Sequence, residues 1–301
     1  MTAPAAARVS YRGRIAPSPT GHLHLGHART FWIAQERSRA AGGALILRND
    51  DLDQVRCKPE FIAAMYDDLR WFGFAWSEGP DCGGRWAPYA QSQRWPHYRE
   101  ALEQLRAGGF VYGCHCSRQD IAAAVHAPHP EDDDEPLYPG FCRDQHLPWP
   151  NFENARSAPG ANAPAPRRPS IRFRVPDGEI ISFDDGNLGS QKFVAGKDFG
   201  DFVVWRPDNV PAYQLACVVD DAAMQITEVV RGADLLKSTA RQLLLYRALK
   251  LAAPRFYHCE LMLDDHGQRL AKRHAALSLQ TLRQSGAAPE TLRATWGNFA
   301  H

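Results

Sequence analysis

Residues 14–30, RIAPSPTGHLHLGHART, crowd three histidines, two glycines and two prolines into the span where a strand gives way to a helix. Gly21 and Gly26 remove side chains there, and the backbone N–H groups and helix dipole at such a turn favour phosphate. His24 and His27, three apart, share a face of the first helical turn. Two imidazoles so placed can donate hydrogen bonds to phosphate oxygens as charge builds on them. Taken alone, the stretch reads equally well as a tight turn with exposed histidines. A second constellation is Cys114, Cys116 and Cys142, in VYGCHCSR and YPGFC. Three thiols flanking a loop without a core of its own point to a structural zinc site that pins the loop. Chemistry alone offers His115, His126, His129 or His146 as the fourth ligand, and three unliganded thiols are the alternative.

The elements that must position these groups follow from pattern and punctuation. SYRGRIAP reads as a short strand, LGHARTFWIAQERSRAA as a helix stopped by Gly42 and Gly43, and ALILR (44–48) as a buried strand. PEFIAAMYDDLRWFG is a helix opened by Pro59 and closed by Gly73, and SQRWPHYREALEQLRAGG a further helix before the strand FVYGC. This alternation predicts a parallel α/β sheet. Residues 127–170, rich in Pro, Ala and charge with an acidic run at 131–135, break the rhythm and read as irregular loop. SIRFRVP, EIISFDD and DFVVW are short β segments, AYQLACVVDD and the residues after it give helix, strand and long helix, and YHCELMLDD is a last strand before LSLQTLRQSG. The expected organisation is a doubly wound α/β domain split into 1–113 and 206–301, with an insertion at 114–205 and a short helical C-terminal part.

A net charge of +1, with 23% charged and 44% hydrophobic residues, excludes a global basic field, so a nucleic-acid partner would be held by local patches. No signal peptide or membrane-spanning apolar run is evident, and seven cysteines unevenly placed suit a reducing compartment. A cytoplasmic monomer with no membrane association is expected.

APSPTGHLHLGHART resembles the first signature of class I aminoacyl-tRNA synthetases, in the form used by glutamyl- and glutaminyl-tRNA synthetases, with HLGH (24–27) at the HIGH position. The resemblance implies a Rossmann-like catalytic domain and a second, KMSKS-like loop. RLAKR (269–273) stands there, with Arg269 for the first Lys, Ala271 for Ser, and Lys272 keeping the second Lys. A cation at that place would neutralise departing pyrophosphate. Carried over from the glutamate enzymes, Arg14, Ala16, Ser18, Asp50 (in RNDD, where the family has RIED), Tyr213 and Arg231 would surround L-glutamate. Guanidinium forks suit a dicarboxylate, and an ammonium needs a carboxylate. Asp50 is one methylene shorter than the family's Glu. CHC…YPGFC looks like the Cys-x-Cys…Tyr-x-x-x-Cys zinc site of one branch of the family, which implies Cys114, Cys116, Tyr138 and Cys142, with Tyr138 as the oxygen ligand.

The chain ends soon after the second motif, which leaves no room for an anticodon-binding domain and suits a truncated branch of the family. That branch activates glutamate with ATP and Mg²⁺ without needing tRNA, then passes it to the queuosine base of tRNA(Asp). Gly21, His24, Gly26, His27 and Lys272 would then bind ATP, with His24, His27 and Lys272 stabilising the transition state. The alternatives are a truncated synthetase charging the acceptor end of tRNA(Glu), a small-molecule nucleotidyltransferase with an HxGH turn, and an inactive tRNA-binding module.

Overall fold

The computed structural model describes residues 10–117, 119–121, 137–150, 168–262, 278–294 and 296. In chain order the elements are β1 (Arg12–Ile15), α1 (Leu25–Ala40), β2 (Ala44–Leu47), α2 (Pro59–Phe72), α3 (Trp95–Ala107), β3 (Val111–Cys114), β4 (Ser170–Phe173), β5 (Ile180–Asp185), β6 (Gly189–Val194), β7 (Phe202–Trp205), α4 (Tyr213–Ala223), β8 (Glu228–Gly232), α5 (Leu236–Ala248), β9 (Arg255–Cys259), α6 (Leu279–Gln284) and α7 (Pro289–Ala294). They form two compact units: Met1–Arg94 with Ala223–Asp234 and Pro254–His301, and Trp95–Ala222 with Leu235–Ala253. No helix among the described residues is long and apolar enough to cross a membrane.

The first unit is built on parallel strands. β1 pairs with β2 from Arg12↔Ala44 to Ile15↔Leu47, and β8 pairs with β9 from Glu228↔Arg255 to Gly232↔Cys259. β8 lies along β1, where Thr227 N–H donates to Arg12 O (2.9 Å) and the Arg14 guanidinium reaches Val230 O (3.1 Å). The strands therefore run in the order β2, β1, β8, β9, and the order reverses between β1 and β8. That reversal makes the carboxyl ends of these two strands the crevice in which such folds bind ligands. Ile15, Leu23, Leu47, Leu69, Phe72 and Leu279 share one buried cluster beneath it. α2 presents Met65, Leu69 and Phe72 to that core at helical spacing, and Asp68 sits buried in the same stripe. Its Gly73 adopts φ +93°, and Phe74 N–H returns to Leu69 O at 3.0 Å, closing a Schellman motif.

The second unit corrects one expectation. β3 belongs to an antiparallel trio, paired with β4 from Val111↔Phe173 to Cys114↔Ser170, and β4 pairs in turn with β7. β3 reaches β4 through residues 115–169 and β4 reaches β7 through 174–201, connections long enough for a strand to return in either sense, so the alternation of elements does not set the pairing direction. β6, absent from the sequence reading, is GSQKFV with no buried residue, so it carries no alternation to detect. It forms a hairpin with β5 because Asp185 accepts the N–H groups of Asn187 and Leu188 at 3.0 Å each, a local turn that fixes the register.

Candidate active site

The signature turn leaves β1 and becomes α1 through an unusual cap. His24, in extended backbone geometry, is the N-cap residue. Its Nδ1 accepts the His27 N–H at 3.4 Å while His27 Nδ1 accepts the His24 N–H at 3.3 Å, a capping box made of two imidazoles. The rings stack with centroids 3.6 Å apart. Because both Nδ1 atoms accept, each neutral ring carries its proton on Nε2. The cap thus leaves the pair with Nε2–H donors, the form that suits phosphate oxygens. Gly26 packs closely under the cap: a Cβ there would meet the His24 ring at 3.1 Å, so the ring would have to give by a few tenths of an ångström. At Gly21 a Cβ would meet nothing within 4 Å, so that position is open space beside the turn. Leu279 N–H donates to Leu23 O at 2.7 Å and Ser278 bridges to His24, which ties the turn to the start of α6.

The residues expected to hold glutamate divide as follows. Arg14 is 5% exposed on β1, Ala16 follows that strand, and Ser18 is exposed. Asp50 is brought beside them because Arg48 N–H reaches Ile15 O (2.9 Å) and Asp50 N–H reaches Pro17 O (3.0 Å), extending the β1–β2 pairing. Its carboxylate is gripped by Arg48, with Nε to Oδ1 at 2.6 Å and Nη2 to Oδ2 at 3.1 Å, and Arg48 is wholly buried. The sequence reading missed Arg48; nothing in RNDD tells which basic neighbour a carboxylate will meet. The two-point ion pair fixes the orientation of the Asp50 carboxylate. Arg231, on β8, is 4% exposed and donates from Nε to His258 Nε2 at 3.2 Å. Tyr213 opens α4 in the second unit and is exposed. Lys272, with Arg269 and Ala271, lies outside the described residues, as do His126, His129 and the acidic run at 131–135.

In the second unit the thiols of Cys114, Cys116 and Cys142 all lie within 4.8 Å of one another. The Tyr138 hydroxyl is 3.3 Å from Cys114 Sγ and 3.6 Å from Cys116 Sγ, and Cys116 Sγ is 3.6 Å from Cys142 Sγ. A tetrahedral zinc with Zn–S of about 2.3 Å and Zn–O of about 2.0 Å would hold its ligands about 3.8 Å apart for sulfur pairs and about 3.5 Å for sulfur and oxygen. The three contacts of 3.3, 3.6 and 3.6 Å fall close to that spacing, and the three thiols lie within 4.8 Å of one another. Cys142 N–H donates to the Tyr138 oxygen at 2.9 Å, and the Arg172 guanidinium lies 4.1 Å from the Tyr138 ring centroid. Burial opposes ionisation of Cys114, but hydrogen bonds with Tyr138 and Arg172 outweigh it and hold the thiol below its usual range. Burial and the neighbouring thiols push Cys116 up to about 11 and raise Tyr138, the crowding a cation would relieve. His115 and His146 are exposed and stand outside the group.

Two buried carboxylates of the first unit contrast in how they are paired. Glu228, 2% exposed at the start of β8, takes Arg37 Nε (2.8 Å) and Nη2 (2.9 Å) and the Tyr11 hydroxyl (2.7 Å). Burial would lift its carboxyl, yet those donors hold it below the ordinary carboxylate range. Asp68, wholly buried, has no hydrogen bond to either oxygen and faces Arg283 of α6 at 3.4 Å. Burial pushes it up to about 6 against the attraction of Arg283 and of His22 in the signature turn.

Residues 10–299 match the family of class I tRNA synthetases (E and Q), catalytic domain. The chain is 49% identical, over 93% of its length and 83% of the relative's, to a glutamyl-Q tRNA(Asp) synthetase of Symbiobacterium thermophilum. It is 46% identical, over 91% of its length and 82% of the relative's, to a glutamyl-Q tRNA(Asp) synthetase of Nitratidesulfovibrio vulgaris. Among solved structures, a glutamate tRNA ligase from Elizabethkingia meningosepticum in complex with its amino acid superposes with a TM-score of 0.74 at 28% identity, over 95% of this chain and 60% of that one. The imidazole-capped turn at a topological switch point and the match across almost the whole sequence agree: the chain belongs to the class I (E and Q) tRNA synthetases, whose catalytic domain it carries.

Proposed function

We propose that this chain activates L-glutamate with ATP, without needing tRNA, and then transfers the glutamyl group to the queuosine base in the anticodon of tRNA(Asp). The observation that carries the reading is the pair of relatives named for that activity, at 49% and 46% identity and each matched over more than four-fifths of its own length. The imidazole cap supports the first step. In it a carboxylate oxygen of glutamate attacks the α-phosphorus of ATP, a P–O bond forms, and the bond to pyrophosphate breaks. No protein nucleophile is required, so the work is positioning and charge stabilisation in line with the displacement.

ATP enters as its Mg²⁺ complex. The Nε2–H donors of His24 and His27 meet phosphate oxygens as negative charge grows, Gly21 leaves the open approach, and Lys272 serves the leaving pyrophosphate. Gly26 leaves room for the stacked His24 ring above it. Arg14 and Arg231 provide forks for the carboxylates of glutamate, Asp50, braced by Arg48, receives its ammonium, and Ala16 and Ser18 line the approach. Tyr213 is assigned to glutamate by sequence resemblance. Cys114, Cys116, Cys142 and Tyr138 would hold one structural zinc, which supplies cross-linking of the loop and no chemistry of the reaction. The setting we infer is the cytoplasm, where ATP, glutamate and tRNA meet.

The test uses labelled glutamate, ATP, tRNA(Asp) with and without queuosine, and tRNA(Glu). Label on queuosine-bearing tRNA(Asp) alone is expected. Label on tRNA(Glu) alone would overturn the choice of acceptor, and absence of glutamate-dependent ATP–pyrophosphate exchange in the absence of tRNA would overturn the activation step.

A further inference from the structure

β9 presents Phe256 and His258, two residues apart and hence on one face of the strand, and His258 stands in register with Arg231 of β8. His258 is 0% exposed. Its Nε2 lies 3.2 Å from Arg231 Nε, and the Arg231 guanidinium carbon lies 5.4 Å from the Phe256 ring centroid. The two rings are themselves stacked, with centroids 6.3 Å apart. A guanidinium offers donors only, so the imidazole nitrogen facing it is the unprotonated one. His258 is therefore neutral, with its proton on Nδ1, since an imidazolium would set two cations against each other in a buried place. A guanidinium is rigid and planar. Once Nε is tied to His258 and the face rests over Phe256, the plane of the two terminal nitrogens is set as well.

We propose that His258 is a positioning residue for amino-acid recognition: by accepting the Nε–H of Arg231 it fixes the fork that grips a carboxylate of glutamate. The inference rests on the assignment of Arg231 to glutamate made above. A fork held in advance loses less rotamer freedom when it binds, so the gain falls on affinity for the amino acid and not on ATP.

The test compares wild type, His258→Leu and His258→Gln in glutamate-dependent ATP–pyrophosphate exchange. Leu removes the acceptor at similar volume, and Gln returns an acceptor oxygen on a flexible stem. The expected result is a KM for glutamate raised at least tenfold in His258→Leu, a KM for ATP within twofold of wild type, and substantial recovery of the glutamate KM in His258→Gln. An unchanged glutamate KM in His258→Leu, or equal rises in both KM values, would overturn the proposal. ¹⁵N chemical shifts of the wild-type histidines give a readout that needs neither variant to fold. A neutral, Nδ1-protonated His258 at neutral pH is required, and an imidazolium or the other tautomer would refute it. Wild-type protein without any glutamate-dependent exchange would instead sink the functional reading, while the histidine spectrum would still judge the contact.

Discussion

Replacing Asp68 by Asn measures what a buried and poorly paired carboxylate costs this fold. Asp68 is wholly buried on α2, neither oxygen accepts a hydrogen bond, and its closest cation is Arg283 Nη2 at 3.4 Å. Burial pushes its carboxyl from an ordinary value of 3.8 up to about 6. An acid whose folded value exceeds its unfolded value penalises the folded state once it ionises. The penalty is complete above about pH 6 and fades as pH falls toward 4. A gap of about two pH units corresponds to about 3 kcal/mol at pH 8, of which about 1.4 kcal/mol disappears by pH 5. Asn does not titrate, so the comparison isolates this group from every other. Paired urea denaturation curves of wild type and Asp68→Asn at pH 8 and pH 5 are the assay. The stability of the variant relative to wild type should fall by about 1.4 kcal/mol from the higher pH to the lower. A difference that does not change with pH would refute the reasoning. A difference that grows on acidification would show that Arg283 and His22 stabilise the carboxylate more than burial penalises it.

His27→Ala removes one half of the imidazole cap and one phosphate donor, so ATP–pyrophosphate exchange should fall about 100-fold while helix capping costs about 1 kcal/mol; a thermal shift without a rate loss would contradict the assigned role. Cys116→Ala should abolish stoichiometric zinc in the purified protein, measured by elemental analysis, and a variant that keeps one zinc per chain would remove the site as drawn. Glu228→Gln leaves the Arg37 fork and the Tyr11 hydroxyl without their carboxylate and should cost about 3 kcal/mol at pH 7. Because the folded Glu228 carboxyl is held below its ordinary range, its contribution is full above that range and fades as pH falls from it through the lowered folded value, so the gap between wild type and variant should narrow steadily on acidification.

Much of the first unit was legible because it is written in local chemistry. Pro59 and Gly73 bound α2 within a residue of expectation, and the Gly- and His-rich stretch marks the junction of β1 and α1. The cysteine cluster was legible as a ligand type, though the choice among four histidines and Tyr138 was not open to spacing. Elements without periodicity escaped: β6, GSQKFV, has no buried residue and no alternation, and α7 is a helix of six residues near the end of the described chain.

The sequence by itself pointed to residues that could do chemistry: a Gly- and His-rich turn ahead of a helix, and three thiols around a loop, whereas the guanidinium set followed only from the family resemblance. Those signals arise from backbone preferences and side-chain types acting over a few residues, so one dimension is enough to carry them. Only the tertiary structure decided how the groups are held. The pairing of β1 with β2 sets Asp50 beside the signature turn, where Arg48 braces it, and the register of β8 with β9 sets His258 against Arg231. The capping box fixes the proton of each signature histidine on Nε2. Protonation, rotamer and donor direction depend on strand register and burial, which bring together residues far apart in the chain and therefore leave no mark on the spacing.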